Sequence, residues 1–163
     1  MRTLIIGYGN FDRQDDGLAW HVLKEVRKLL DGDAPESVPE YFDRDGDTVF
    51  VFKLQLLPED AEEIARFERV CFIDAHTGAV PEPVHVEQLL SAWQHSPLTH
   101  HLTPNSLLSM IQAVYGKSLP AILVSVRGYE FEFTNSLSGR SALLVPQAAN
   151  IIYNWIKEAH SSN

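Results

Sequence analysis

The sequence predicts a three-layer α/β/α domain around a mostly parallel sheet. Two observations carry this reading. Short apolar runs alternate with longer segments of helical periodicity, in the order strand, helix, strand, helix, strand, strand, helix, strand, helix. Several of the short runs are apolar at nearly every position, as expected of strands covered on both faces.

The elements follow in order. Thr3–Gly7 reads as a buried strand. From Gly17 to Leu30, Leu18, Val22, Val26 and Leu29 recur at helical spacing. Asp31–Asp47 is rich in Asp, Pro and Gly and reads as a loop with a short extended piece at Glu40–Phe42. Thr48–Phe52 is β-branched and aromatic, a second strand. Pro58 opens a helix through Phe67, with acids in its first turn that suit the helix dipole. Val70–Asp74 and Val84–Leu89 are the next strands. Thr103 caps a helix from Pro104 to Tyr115, which Gly116 ends. Ala121–Val126 is the fifth strand, and Leu144–Ala159 is the closing helix, with Leu144, Ala148, Ile151 and Trp155 on one face.

At 163 residues the chain suits one domain, spanning 1–163, with a sizeable core. Its net charge of -9 argues against nucleic acid and anionic membranes as partners. No apolar stretch reaches the roughly 20 residues of a membrane span. The single Cys71 forms no internal disulfide, and Met1–Ile6 leads straight into a strand-like run rather than a secretory signal. A reducing, cytoplasmic setting is the expectation.

Ligands of such sheets gather beyond the carboxyl ends of the strands. The first strand ends in Gly7-Tyr8-Gly9-Asn10, followed by Asp15-Asp16-Gly17. Asp12 stands where the dinucleotide fingerprint needs its third glycine, so that fingerprint fails. Asp15 and Asp16 precede a helix, where carboxylates also serve as caps; Asp15 is read that way. Asp74 closes the run Cys71-Phe72-Ile73-Asp74, and two histidines stand in Thr99-His100-His101-Leu102. Acids and a histidine from separate loops make an O,O,N set suited to a divalent first-row metal such as zinc or nickel. No Gly-x-Ser-x-Gly elbow occurs, and Cys71 lies inside a strand, so covalent catalysis has little support.

These segments resemble the hydrogenase maturation endopeptidases. The resemblance rests on IIGYGNFDRQDDG before a helix, VCFIDA at a strand end and THHLTPNSLLSMIQAVYG. It is joined by QLLPEDAEEIA and VSVRGYEFEFTNSLS, and it runs over nearly the whole chain. It implies a five-stranded twisted sheet with one antiparallel strand, here Val84–Leu89. It implies a cytoplasmic enzyme, expected as a monomer, that removes a C-terminal extension from the large-subunit precursor of a nickel–iron hydrogenase after nickel insertion. The nickel is carried by that substrate, and cadmium or zinc can replace it in crystals. The implied metal-binding and catalytic set is Asp16, Asp74 and His100, with His100 preferred to His101 for its distance to Leu107-Leu108. Asp16 stands where the family often has Glu, and Gln14 where Gly is common. Two other readings stay open: a nucleotide-binding module, and a non-catalytic chaperone or scaffold for the nickel-loaded large subunit.

Overall fold

The computed structural model describes residues 1–32, 42–45, 47–90 and 102–161. Its strands are β1 (Thr3–Tyr8), β2 (Phe42–Asp45), β3 (Thr48–Lys53), β4 (Arg69–His76), β5 (Val84–Leu89) and β6 (Ala121–Arg127). The helices are α1 (Leu18–Asp31), α2 (Asp60–Ile64), α3 (Pro104–Tyr115), α4 (Gly139–Ala142) and α5 (Val145–Ser161), and a 3-10 turn spans Gln14–Gly17. The sheet runs β2-β3-β1-β4-β6-β5. The pairs β1–β3, β1–β4 and β4–β6 are parallel, while β5 lies antiparallel to β6 as expected. The five expected strands are all present. The extended piece expected near Phe42 becomes a short edge strand, antiparallel to β3, and brings the described sheet to six.

Two cores sandwich the sheet. On one face α1 and α5 cover Ile5, Phe50, Cys71 and Ile73; on the other α2 and α3 cover Leu4, Ile6, Val51 and Phe72. Alternate residues of β1 and β4 thus enter opposite cores, which explains their continuous apolar sequence. The buried stripe of α5 is Ala148, Ala149, Ile152 and Ile156, with Leu144, Ile151 and Trp155 at its flank. That is a rotation from the expected face. The cause is the close approach of α5 to α1, which favours the alanines at the contact. α3 matches its expected bounds: Thr103 accepts from the Ser106 N–H, and Gly116 closes it in the left-handed conformation. α2 is shorter than expected. Only Asp60–Ile64 is α-helical, because i→i+3 bonds from Asp60, Ala61 and Glu62 at one end and from Arg66 and Phe67 at the other tighten the flanks. No helix among the described residues is long and apolar enough to cross a membrane.

The chain after β6 returns to the start of the molecule through Asp15. Asp15 is fully buried. Its carboxylate accepts five hydrogen bonds: from the N–H groups of Tyr129, Glu130 and Ser138 at 2.8, 2.9 and 2.9 Å, and from the hydroxyls of Ser138 and Ser141 at 2.6 and 2.8 Å. Burial alone pushes this carboxyl up. The hydrogen bonds from Ser138, Tyr129 and Glu130 outweigh that and hold its pKa below the ordinary value. The cap reading of Asp15 is therefore corrected. The N-cap of α1 is Gly17, with no side-chain cap bond, and Asp15 faces the segment from Tyr129 to Ser141 instead.

A cap is worth about 1 kcal/mol, but emptying this site orphans several buried donors. Asp15→Ala is expected to cost at least about 3 kcal/mol in urea unfolding at pH 7. Asp15→Asn, which keeps the shape but turns one oxygen into a donor, should cost about 2 kcal/mol. Because the folded-state pKa is lowered, Asp15's contribution is present above the ordinary carboxylate pKa and is lost as pH falls through the folded value. The gap between wild type and Asp15→Asn should therefore narrow in acid. A loss of only about 1 kcal/mol for Asp15→Ala would return Asp15 to the role of a cap.

Candidate active site

The strand order reverses at β1. From β1 the chain passes through α1 to β3 on one side, then through α2 to β4 on the other. The crevice between the carboxyl ends of β1 and β4 is thus the topological switch point, where open α/β sheets bind ligands. The glycines that lead into it make room for protein. A Cβ on Gly7 would stand 2.9 Å from Ala19 Cβ and from Leu23 Cδ1, so Gly7 lets α1 lie close on the sheet. Gly9 has φ +146, and a Cβ there would stand 2.0 Å from the carbonyl oxygen of Asp16. The loop therefore doubles back on itself, and its interior holds Asp16 rather than a phosphate.

Asp16 is half-buried, and its Oδ2 accepts from the Asn10 N–H at 2.9 Å. Among the described residues nothing donates to its Oδ1. Asn10 also pins the loop, its Oδ1 accepting from the Asp12 N–H at 3.0 Å. Gln14 has φ 52, the left-handed region that favours glycine. This accounts for the glycine that the resemblance leads one to expect there. The strain is offset because the Gln14 N–H donates to the Thr134 carbonyl at 2.8 Å and its Oε1 accepts from the Glu132 N–H at 3.1 Å.

Asp74 follows Ile73, which pairs with Gly7 across the sheet, so Tyr8 and Asp74 lie beside each other on neighbouring strands. The Tyr8 phenol and the Asp74 carboxylate are electrostatically coupled. Burial raises the Tyr8 pKa, and Asp74 raises it further, so the phenol keeps its proton. Asp74 is itself pushed up to about 6. Burial is the main cause, Tyr8 and the Ala75 N–H oppose it, and the charge of Asp16 adds to it. Asp16 and Asp74 are therefore brought together as an interacting carboxylate pair.

The predicted third member, His100, lies outside the described residues, and so does His101. The described chain resumes at Leu102, which packs against the cluster that Tyr8 borders. Among the described residues no three His, Cys, Asp or Glu side chains gather as metal ligands. His76 is occupied elsewhere. The Gly78 N–H donates to its Nδ1 at 3.1 Å, so its Nε2–H donates to the Glu82 carbonyl, also at 3.1 Å. Tyr8 was missed in the sequence, because its role depends on a cross-strand register that no local pattern encodes. Ser138 and Ser141 were missed because their roles depend on the segment after β6 folding back onto Asp15.

The raised Asp74 pKa has a stability consequence. The fold favours the protonated carboxyl, so Asp74's contribution is fully present below the ordinary value and is lost as pH rises through about 6. Asp74→Asn keeps the shape without the charge. It should be about 2 kcal/mol more stable than wild type at pH 7.5, and the difference should vanish near pH 4. A carboxyl carbon-13 titration should place Asp74 near 6. A midpoint near 4, or an Asn variant less stable than wild type at pH 7.5, would contradict this electrostatic account.

No family model matches the chain, and no curated protein matches it. Solved structures do. The chain is similar to the hydrogenase maturating endopeptidase HybD from E. coli, with 15% identity and a TM-score of 0.73, covering 98% of this chain and 94% of that one. It is similar to the [NiFe] hydrogenase maturation protease HycI from Thermococcus kodakarensis KOD1, with 19% identity and a TM-score of 0.60 over 96% and 90%. It is also similar to the hydrogenase 2 maturation peptidase from Thaumarchaeota archaeon SCGC_AB-539-E09, with 19% identity and a TM-score of 0.55 over 100% of both. The α/β fold described above is the fold of these maturation endopeptidases, along nearly the whole chain.

Proposed function

We propose that this protein is an endopeptidase that removes the C-terminal extension of a nickel–iron hydrogenase large-subunit precursor after nickel insertion. The observation that carries the reading is the Asp16–Asp74 pair at the switch point of a fold shared with hydrogenase maturation endopeptidases. An Asp74 carboxylate whose ionisation the Asp16 charge makes costlier, beside an Asp16 whose Oδ1 has no donor among the described residues, suits a divalent cation that neutralises both. Here that cation is nickel carried by the substrate, and His100 is the proposed third contact. When bound, it anchors the substrate and draws charge from groups beside it.

The chain's own residues supply the rest. Asp74 takes a proton from water as the oxygen attacks the scissile carbonyl. It returns that proton to the leaving nitrogen when the carbon–nitrogen bond breaks. Tyr8 stands beside that carboxylate and is coupled to it electrostatically. Asp16, fixed by the Asn10 N–H, positions the substrate. The same reading makes the protein a cytoplasmic monomer acting as one domain over 1–163.

A mass assay of the large-subunit precursor tests this. Wild type should shorten the nickel-loaded precursor and leave the nickel-free one intact. Asp16→Asn, Asp74→Asn and His100→Ala should each slow cutting by at least about 100-fold while remaining folded. His101→Ala should stay within a few-fold of wild type. Equal cutting of both precursors would remove nickel from the mechanism. Stable complex formation without any mass change would make the protein a scaffold.

A further inference from the structure

Beyond the carboxylate pair, the same sheet edge carries a second site of opposite charge. A pocket of about 240 Å³ is lined by His76, Val80, Pro81, Pro83, Arg127, Tyr129 and Arg140. The Arg127 and Arg140 guanidinium carbons lie 5.1 and 3.9 Å from the Tyr129 ring centroid, so two cations share one aromatic platform. Neither has a carboxylate within ion-pair distance among the described residues, although the chain is acidic at -9 overall. Arg127 is held in place. Its Nε–H donates to the Gly128 carbonyl at 3.2 Å, and its Nη1 lies so close to Gly78 that a Cβ there would stand 1.8 Å away. His76 is fixed by the Gly78 N–H and the Glu82 carbonyl, each at 3.1 Å.

The pocket is also built from the site's own frame. Arg127 pairs with His76 across the sheet, and Ser125 pairs with Asp74. The guanidinium strand end thus lies two residues, or about 7 Å, beyond Asp74. An extended peptide covers that separation in two residues. Asp15 holds the Tyr129 and Glu130 amides, so the aromatic platform is tied to the residue before Asp16.

We infer that the Arg127–Tyr129–Arg140 pocket binds a carboxylate of the substrate chain, about two residues from the scissile bond. Guanidinium forks match a carboxylate bidentately, and two of them converge on this pocket. The shared chemistry is a peptide carboxylate, from an acidic side chain or from a chain terminus. As a substrate subsite it rests on the endopeptidase reading; as a carboxylate site it stands on the pocket alone.

The test titrates the full chain with three short peptides, followed by the arginine Nε–H resonances. They are acetyl-Ala-Glu-Ala-amide, acetyl-Ala-Gln-Ala-amide, and acetyl-Ala-Gln-Ala with a free α-carboxylate. At least one carboxylate probe should shift Arg127 and Arg140 saturably, and the tighter one names the source. The neutral peptide should leave both in place. Arg140→Gln, at an exposed position of α4, should weaken the carboxylate probe about tenfold, and Arg140→Lys less. Saturation by inorganic phosphate alone, or equal shifts with the neutral peptide, would overturn the assignment. In precursor cutting, Arg140→Gln should raise KM more than it lowers kcat. If wild type fails to cut but the probe binds, the endopeptidase reading falls and the carboxylate site stands. If wild type cuts and Arg140→Gln keeps the wild-type KM, the subsite falls and the endopeptidase reading stands.

Discussion

The arrangement of the site depends on one buried carboxylate. Asp15 lies at 0% exposure, and without its five donors it would be an uncompensated charge in the core. With them it clamps the loop after β1 to the segment after β6, two regions more than 110 residues apart in sequence. A carboxylate is the group for this task because it only accepts, and every group facing it is a donor. The loop that carries Asp16 is held from one side by this clamp and from the other by the Lys53 carbonyl, which accepts from the Gly9 N–H at 3.0 Å.

The carboxylate pair works against the fold that holds it. Burial disfavours the charge on Asp74, and Asp16 disfavours it further. Nothing in the two cores needs Asp74 ionised; both are closed by apolar side chains on either face of the sheet. A strand end that tolerates such a cost suits a site whose charge is neutralised from outside. The oppositely charged arginine pocket along the same edge gives the crevice a polarity. Such polarity orients a charged chain more than it tightens binding.

Much of the fold was legible in the sequence. Continuous apolar runs gave β1, β3, β4 and β6, and Thr103, Pro104 and Gly116 marked α3 at both ends through chemistry that acts locally. What was not legible depends on tertiary partners. Asp15 and a helix cap look identical in one dimension, since both are acids ahead of an apolar periodic segment. Only the placement of Ser138 and Ser141 separates them. The length of α2 was overestimated because acids after Pro58 suit a helix start. Asp60 instead accepts from the Leu57 N–H and pairs with Lys53, tightening the turn. Of the candidate site, Asp16 and Asp74 were readable from the strand ends. Tyr8 and the arginine pocket required the β1–β4 and β4–β6 registers.

Asp15 and Asp16 are neighbours on a single 3-10 turn, yet one faces the interior and the other the crevice. Such a turn advances each side chain by about 120° per residue. Inserting or deleting one residue between Gly9 and Gly17 would therefore swing the buried acid out of its nest of donors and carry its neighbour off the site. The Arg13–Thr134 bridge and the Gln14–Thr134 bond leave no slack to absorb the slip. The length of this segment is thus more tightly constrained than its composition: Gln14 occupies a left-handed position at modest cost, but the count of residues around it has no such latitude.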